Sequence, residues 1–96
     1  MVVFKGGQIT NMLVDKIKPN PFRDVINIKL ALQQPQQLTI QLVDMTGRVE
    51  LSSNYAGKAG VNKIVLNNLG NLSAGVYFIK IITADTLEQQ KLLKIK

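Results

Sequence analysis

An all-β fold, a seven-stranded antiparallel sandwich, is the class the sequence predicts, and three observations predict it. Apolar residues alternate with polar ones at a period of two, the spacing of half-buried strands. No stretch sustains the period of an amphipathic helix. Turn signals recur at short intervals, as they do in sandwiches built from many short strands.

Taken in order, residues 12–18 are expected to form a first strand, closed by Pro19-Asn20-Pro21. Two prolines there bar ladder bonding at two positions, so this segment must be a connector. Ile26, Ile28, Leu30 and Leu32 then alternate with Asn27, Lys29 and Ala31. Gln33-Gln34-Pro35-Gln36-Gln37 is a polar break, after which Leu38, Ile40 and Leu42 alternate with Thr39 and Gln41. Asp44-Met45-Thr46-Gly47 fits a type I turn, with Asp bonding the backbone ahead and Gly taking the left-handed place. It joins residues 38–43 to 48–53 as a hairpin with a glycine bulge, and Val49 and Leu51 flank Glu50 in the second arm.

The stretch 57–60 and the pair Gly6-Gly7 read as flexible turns, and Ile64 and Leu66 follow the former in a further strand. Leu72-Ser73-Ala74-Gly75 repeats the turn arrangement before a strand over 76–83, where Tyr77, Ile79 and Ile81 alternate with Phe78, Lys80 and Ile82. In the last strand Leu93 and Ile95 alternate with Lys94 and Lys96. The expected core is Ile26, Ile28, Leu30, Leu38, Ile40, Leu42, Leu51, Ile64, Leu66, Tyr77, Ile79 and Ile81, and Gly47 and Gly75 are expected at positive φ.

Composition narrows the function. Ninety-six residues make one domain, and 46% hydrophobic content is globular rather than disordered. Cysteine and histidine are both absent, which removes disulfides, thiolate chemistry, the usual general base and the commonest metal ligand. The compartment stays open on cysteine alone. The net charge of +6 is spread evenly: each half of the chain, divided after Arg48, carries 6 basic and 3 acidic residues. Such spreading argues against a nucleic-acid stripe, which concentrates on one segment or face. No apolar run is long enough to span a membrane, and Met1-Val-Val-Phe4 meets Lys5-Gly6-Gly7 too early to be a secretion signal.

The candidate catalytic groups are thin. Of the six carboxylates, Asp44 and Asp85 lie in turns and Glu50 is in the outward phase of its strand, so a general acid–base pair ranks below turn-forming and solvated roles. Asp and Asn residues form no closely spaced calcium-ligand series. Ser52, Ser53 and Ser73 have no histidine to activate them, and no phosphate-cradling glycine loop is present. No catalytic residue, cofactor or metal is expected. The segment 91–96, with three lysines and three aliphatics, reads as a last strand whose lysines keep an exposed edge from pairing with other chains.

Four elements then follow one another: Pro19-Asn20-Pro21-Phe22, Leu42-Val43-Asp44-Met45-Thr46-Gly47-Arg48, Leu72-Ser73-Ala74-Gly75-Val76-Tyr77, and the lysine-spaced tail with Lys91, Lys94 and Lys96. In this order they resemble the C-terminal sorting domain of type IX (Por) secretion system cargo in Bacteroidetes, of the type A family, over residues 19–96. Ser73 departs from the proline that many members carry, a change the turn accepts.

The resemblance implies an Ig-like sandwich that is non-catalytic, with residues 1–18 a linker remnant and first strand. It implies a cargo upstream in the same chain, brought to the periplasm by a Sec signal peptide. The outer-membrane translocon would engage the domain and a sortase-like peptidase would remove it, leaving the cargo secreted or on the cell surface. Neither nucleic acid nor a membrane span enters that picture, and the isolated domain is expected to be a monomer. The sorting residues it implies are Pro19, Asn20, Pro21, Phe22, Asp44, Gly47, Arg48, Leu72, Gly75, Tyr77, Lys91, Lys94 and Lys96. For Gly47, Gly75, Tyr77 and Arg48 a turn, core or solvated-face role weighs more than direct recognition, while for the lysine tail the two weigh equally. The alternative is an Ig-like adhesion or carbohydrate-binding module, for which Tyr55, placed in a loop, is the one plausible stacking platform.

Overall fold

Alternation decides which side of each strand is buried, and the fold follows from joining those sides. The computed structural model describes residues 2–3, 9–10 and 12–96. Two short strands, β1 (Val2–Val3) and β2 (Ile9–Thr10), pair with each other. Seven longer strands follow: β3 (Met12–Lys18), β4 (Ile26–Leu32), β5 (Gln36–Asp44), β6 (Val49–Gly57), β7 (Gly60–Leu66), β8 (Gly75–Ile82) and β9 (Leu87–Lys94). They form two antiparallel sheets, β3-β4-β7 and β6-β5-β8-β9, and the fold is all-β with no helix among the described residues. The turn reading of Gly6-Gly7 lies outside the described residues.

The two inner faces meet in one cluster. Ile26, Ile28, Leu30 and Leu32 from β4 and Ile64 and Leu66 from β7 pack with Leu38, Ile40 and Leu42 from β5 and Tyr77, Ile79 and Ile81 from β8. Each fully buried Leu or Ile contributes about 1.5–3 kcal/mol by leaving water, so these rows hold the sheets face to face. Leu51 is the one expected core residue that is only half-buried. It belongs to β6, an edge strand of the wider sheet, where the opposing three-stranded sheet covers the inner face less fully.

Two connections differ from expectation. Gln36 and Gln37 begin β5 rather than ending the polar break, and they pair with Gly57 and Ala56. The stretch 57–60 is a sheet-to-sheet corner and not a flexible turn. β6 ends at Gly57 in one sheet and β7 starts at Gly60 in the other. Asn62, fully buried, locks that corner: its Oδ1 accepts from the Lys58 N–H at 3.0 Å and its Nδ2 donates to the carbonyls of Lys58 at 2.8 Å and Gly60 at 3.1 Å. A buried amide satisfied three ways fixes a corner that glycines alone would leave loose.

Candidate functional site

The turn between β5 and β6 organises itself around one carboxylate. Asp44 Oδ1 accepts from the Thr46 N–H at 2.9 Å, the Thr46 hydroxyl at 2.7 Å and the Arg48 N–H at 3.0 Å. The Gly47 N–H donates to the Asp44 carbonyl at 3.0 Å, closing a type I turn, and Asp44 N–H donates to the Arg48 carbonyl at 2.9 Å as the ladder resumes. Gly47 has φ of +92° and these two bonds set Gly47 and Arg48 opposite Asp44, so the expected glycine bulge is present; a second irregularity, at Glu50, shifts the register between Leu42 and Val43. The Thr46 hydroxyl first, then the Arg48 backbone N–H, hold the Asp44 carboxyl below its ordinary range. Arg48 returns along β6 and pairs with Glu50 at 2.9 Å and with Asp44 at 3.5 Å. The Glu50 hydrogen bond, then its charge, then Asp44, raise the guanidinium above its ordinary value.

The second turn is tied by a buried phenol. Tyr77, on the inward phase of β8, donates its hydroxyl to the Ser73 carbonyl at 2.7 Å. A tyrosine near the start of a sandwich strand that bonds back to the upstream backbone is the tyrosine corner of Ig-like domains. Burial foremost, and then the charges of Glu50 and Asp44, push the Tyr77 hydroxyl up. Leu72 packs against the core beneath this turn, and Gly75 opens β8 at φ of +149°. Because Asp44 pairs with Tyr77 across β5 and β8, the two turns stand side by side. Between them lies an open groove of about 390 Å³, lined by Asp44, Arg48 and Glu50 on one wall and Ser73, Gly75 and Tyr77 on the other.

The remaining two motifs meet each other 73 residues apart. Asn20 Oδ1 accepts from the Leu93 N–H at 3.0 Å, and Asn20 Nδ2 donates to the Lys91 carbonyl at 3.5 Å. Phe22 N–H donates to the Leu93 carbonyl at 2.8 Å, and Ile95 N–H donates to the Phe22 carbonyl at 2.9 Å. Phe22 thus runs as a parallel bridge beside Lys94, and the Arg23 guanidinium donates to the Lys96 carbonyl. The Phe22 side chain is fully buried, and its ring meets Tyr77 edge-on at 6.1 Å and 66°. Asp44, Tyr77 and Leu92 form one row across β5, β8 and β9, with Gly75 opposite Lys94 beside it. All four motifs therefore converge on one end of the four-stranded sheet.

The tail corrects the sequence reading. Leu93 and Ile95 were expected inside with Lys94 facing out, yet Leu92 is the buried leucine and Leu93 is 43% exposed. Lys94 is 2% exposed, with its Nζ donating to the Ile95 carbonyl at 2.9 Å. Ile95 is half-buried. Only Lys91 and Lys96 of the three lysines are displayed. The edge of β9 is also not bare at this end, since Asn20 and Phe22 pair with its backbone. Phe22 explains the inversion, because its ring takes core space at this end and its main chain fixes the backbone of 93–95.

Sequence reasoning missed the partners Arg23, Thr46 and Glu50. Thr46 and Glu50 sit within a few residues of Asp44 and Arg48 and carried a signal in their charge and hydroxyl chemistry; Arg23 carried none. Tyr55 lies within β6, half-buried against the core, and not in a loop. Its ring is packed partly against the core, which leaves less of it for glycan stacking than a loop position would. Among the described residues no three His, Cys, Asp or Glu side chains gather closely enough to hold a metal. What this end offers is a fixed surface: two braced turns, an exposed guanidinium compensated by two carboxylates, and a tail clamped to a proline-bounded connector.

Among protein-family models, the one described as secretion system C-terminal sorting domain matches residues 16–96. No curated protein and no solved structure matches the chain.

Proposed function

The chain belongs to the family of type IX secretion C-terminal sorting domains, and from that membership we propose that it carries a cargo in the same polypeptide through the outer-membrane translocon. A sortase-like peptidase then removes the domain, and the cargo is anchored at the surface or released. The domain is a recognition body and not a catalyst. One observation carries this reading beyond the family match: the four motifs, scattered from Pro19 to Lys96 in sequence, assemble on one end of one sheet. A machine that reads a folded signal needs such a contiguous surface, and the groove between the two turns, with Arg48 beside it, is the part we assign to contact with the machinery.

The test is export of a reporter. Residues 12–96 fused behind a Sec signal peptide and a fluorescent protein should place the reporter outside a Bacteroidetes cell that has the translocon. Lys91→Gln/Lys96→Gln removes the two displayed lysines while leaving Lys94 in place. Export that fails while the thermal melt holds shows that these lysines are read directly, and export that persists moves recognition to the turn groove. If the intact fusion stays in the periplasm while an established sorting domain exports the same reporter, the sorting role is wrong.

A further inference from the structure

In the linear sequence the basic residues are evenly spread, but the β3-β4-β7 sheet gathers four of them on one face. Lys16 pairs with Lys29 across β3 and β4, and Lys29 with Lys63 across β4 and β7, so three lysines stand in a single row. Lys18, farther along β3, pairs with Asn27. All four point away from the core, since Ile17, Ile28 and Ile64 take the inward phase beside them. With Asn27 and Val65 they line a groove of about 380 Å³. Asp15 is the carboxylate on this face, 3.5 Å from the Lys29 Nζ, with both side chains about half exposed at 45% and 51%.

Like charges placed directly opposite across strands destabilise a sheet. The row gives the fold one half-exposed ion pair, Lys29–Asp15, and it lies on the outer face of the β3-β4-β7 sheet, with Lys18 next to Pro19 in the chain. The same face carries three exposed aliphatics, Leu13 at 46%, Val61 at 52% and Val65 at 50%, beside the lysines. Lysines that reach phosphates, interleaved with aliphatics at headgroup depth, are what a docking face for an anionic bilayer requires. Single-stranded nucleic acid would call for aromatic platforms, and the outward positions of β3, β4 and β7 hold none. An acidic peptide would be satisfied by the lysines alone and gives no use for the aliphatics.

We propose that the outer face of the β3-β4-β7 sheet docks on an anionic phospholipid surface, with lipid phosphates held among Lys16, Lys18, Lys29 and Lys63. This activity stands on a different face from the sorting motifs and does not depend on the sorting role.

Co-sedimentation of the full chain with phosphatidylcholine vesicles carrying about one-third phosphatidylglycerol tests it. The chain should bind these vesicles, ignore pure phosphatidylcholine, and come off in high salt. Lys16→Gln/Lys63→Gln, which spares the Lys29–Asp15 pair, should weaken binding about thirtyfold. Its melting temperature should be no lower than the parent's, because repulsion is relieved. Lys58→Gln/Lys80→Gln removes equal charge elsewhere and should leave affinity within about threefold. Failure to bind the anionic vesicles overturns the proposal, as does equal loss in the two double variants. Tighter binding of oligoglutamate or a single-stranded oligonucleotide than of vesicles overturns it in favour of that ligand. Binding of inorganic phosphate without vesicle binding overturns the lipid assignment.

Discussion

The inverted phase of β9 is tested by truncating two adjacent leucines. Leu92 is 1% exposed and sits opposite Tyr77, in contact with the main core cluster. Replacing a fully buried Leu by Ala costs about 2–5 kcal/mol, the transfer loss plus the cavity left behind. With Phe22, Tyr77 and Leu92 all in one packed end, little collapse is available, and about 3 kcal/mol is expected. For a domain of this size each kcal/mol lowers Tm by roughly 4–8 °C, so Leu92→Ala should melt about 15 °C early. Leu93 is 43% exposed on the opposite face, and Leu93→Ala should cost under about 1 kcal/mol, a shift of no more than about 8 °C. Circular dichroism melts and urea titrations of the two variants decide the matter, provided the urea slope is unchanged. If Leu93→Ala is the more damaging, or the two are equal, Leu93 points inward and the placement of Lys94 falls with it.

Two further outcomes follow from the turns. Gly47 at φ +92° and Gly75 at φ +149° each have no atom within 4 Å of where a Cβ would stand, so Gly47→Val and Gly75→Val should each cost about 1–2 kcal/mol through the backbone alone; melts unchanged in both would show that neither turn needs its glycine. The Asp44 carboxyl, held below its ordinary value of 3.8 by the Thr46 hydroxyl and the Arg48 N–H, contributes stability that is present in full above that value and lost as pH falls through the lowered folded one. Urea midpoints of the parent should therefore drop on acidification below that point, with a shallower acid limb in Asp44→Asn; identical acid limbs would refute the assignment.

How much of this was legible depends on how local each cause is. The strands β4, β5, β7 and β8 could be read because one phase of each carries a charged or amide residue, Lys29, Gln41, Lys63 and Lys80, so period two favours burying the other phase even where, as in β7 and β8, both phases hold aliphatics. The Asp44 turn could be read because Asp, Thr and Gly act within four residues of one another. β9 offered two choices: Leu92 belongs to one phase, Leu93 and Ile95 to the other. Counting aliphatics picks the second, and the molecule takes the first, because Phe22 arrives from 73 residues away to pair with the backbone there. Lys94 tolerates the inward place through its aliphatic stem, while its ammonium reaches back to the Ile95 carbonyl at 2.9 Å. The lysine row was illegible for the same reason. An even linear spacing becomes a patch only once β3, β4 and β7 are set in register.

The clamp on the tail governs how any truncation must be interpreted. Deleting residues 91–96 removes Leu92 from the core, strips the partners of the Phe22 N–H and carbonyl, and leaves Asn20 and Arg23 without their acceptors and donors. A buried backbone group left unpaired costs about 1–3 kcal/mol, and two such groups together with a lost core leucine amount to a large share of a small domain's stability. Lost export after that deletion is therefore the expected result whether or not the machinery reads a single lysine. The same holds in reverse for Pro19-Asn20-Pro21-Phe22, since disrupting the connector frees the tail. First and last motif act as one structural unit, and a recognition role for either is separable from folding only by side chains outside the clamp. Lys91 and Lys96 at the tail, and Arg48 at the turn groove, meet that condition.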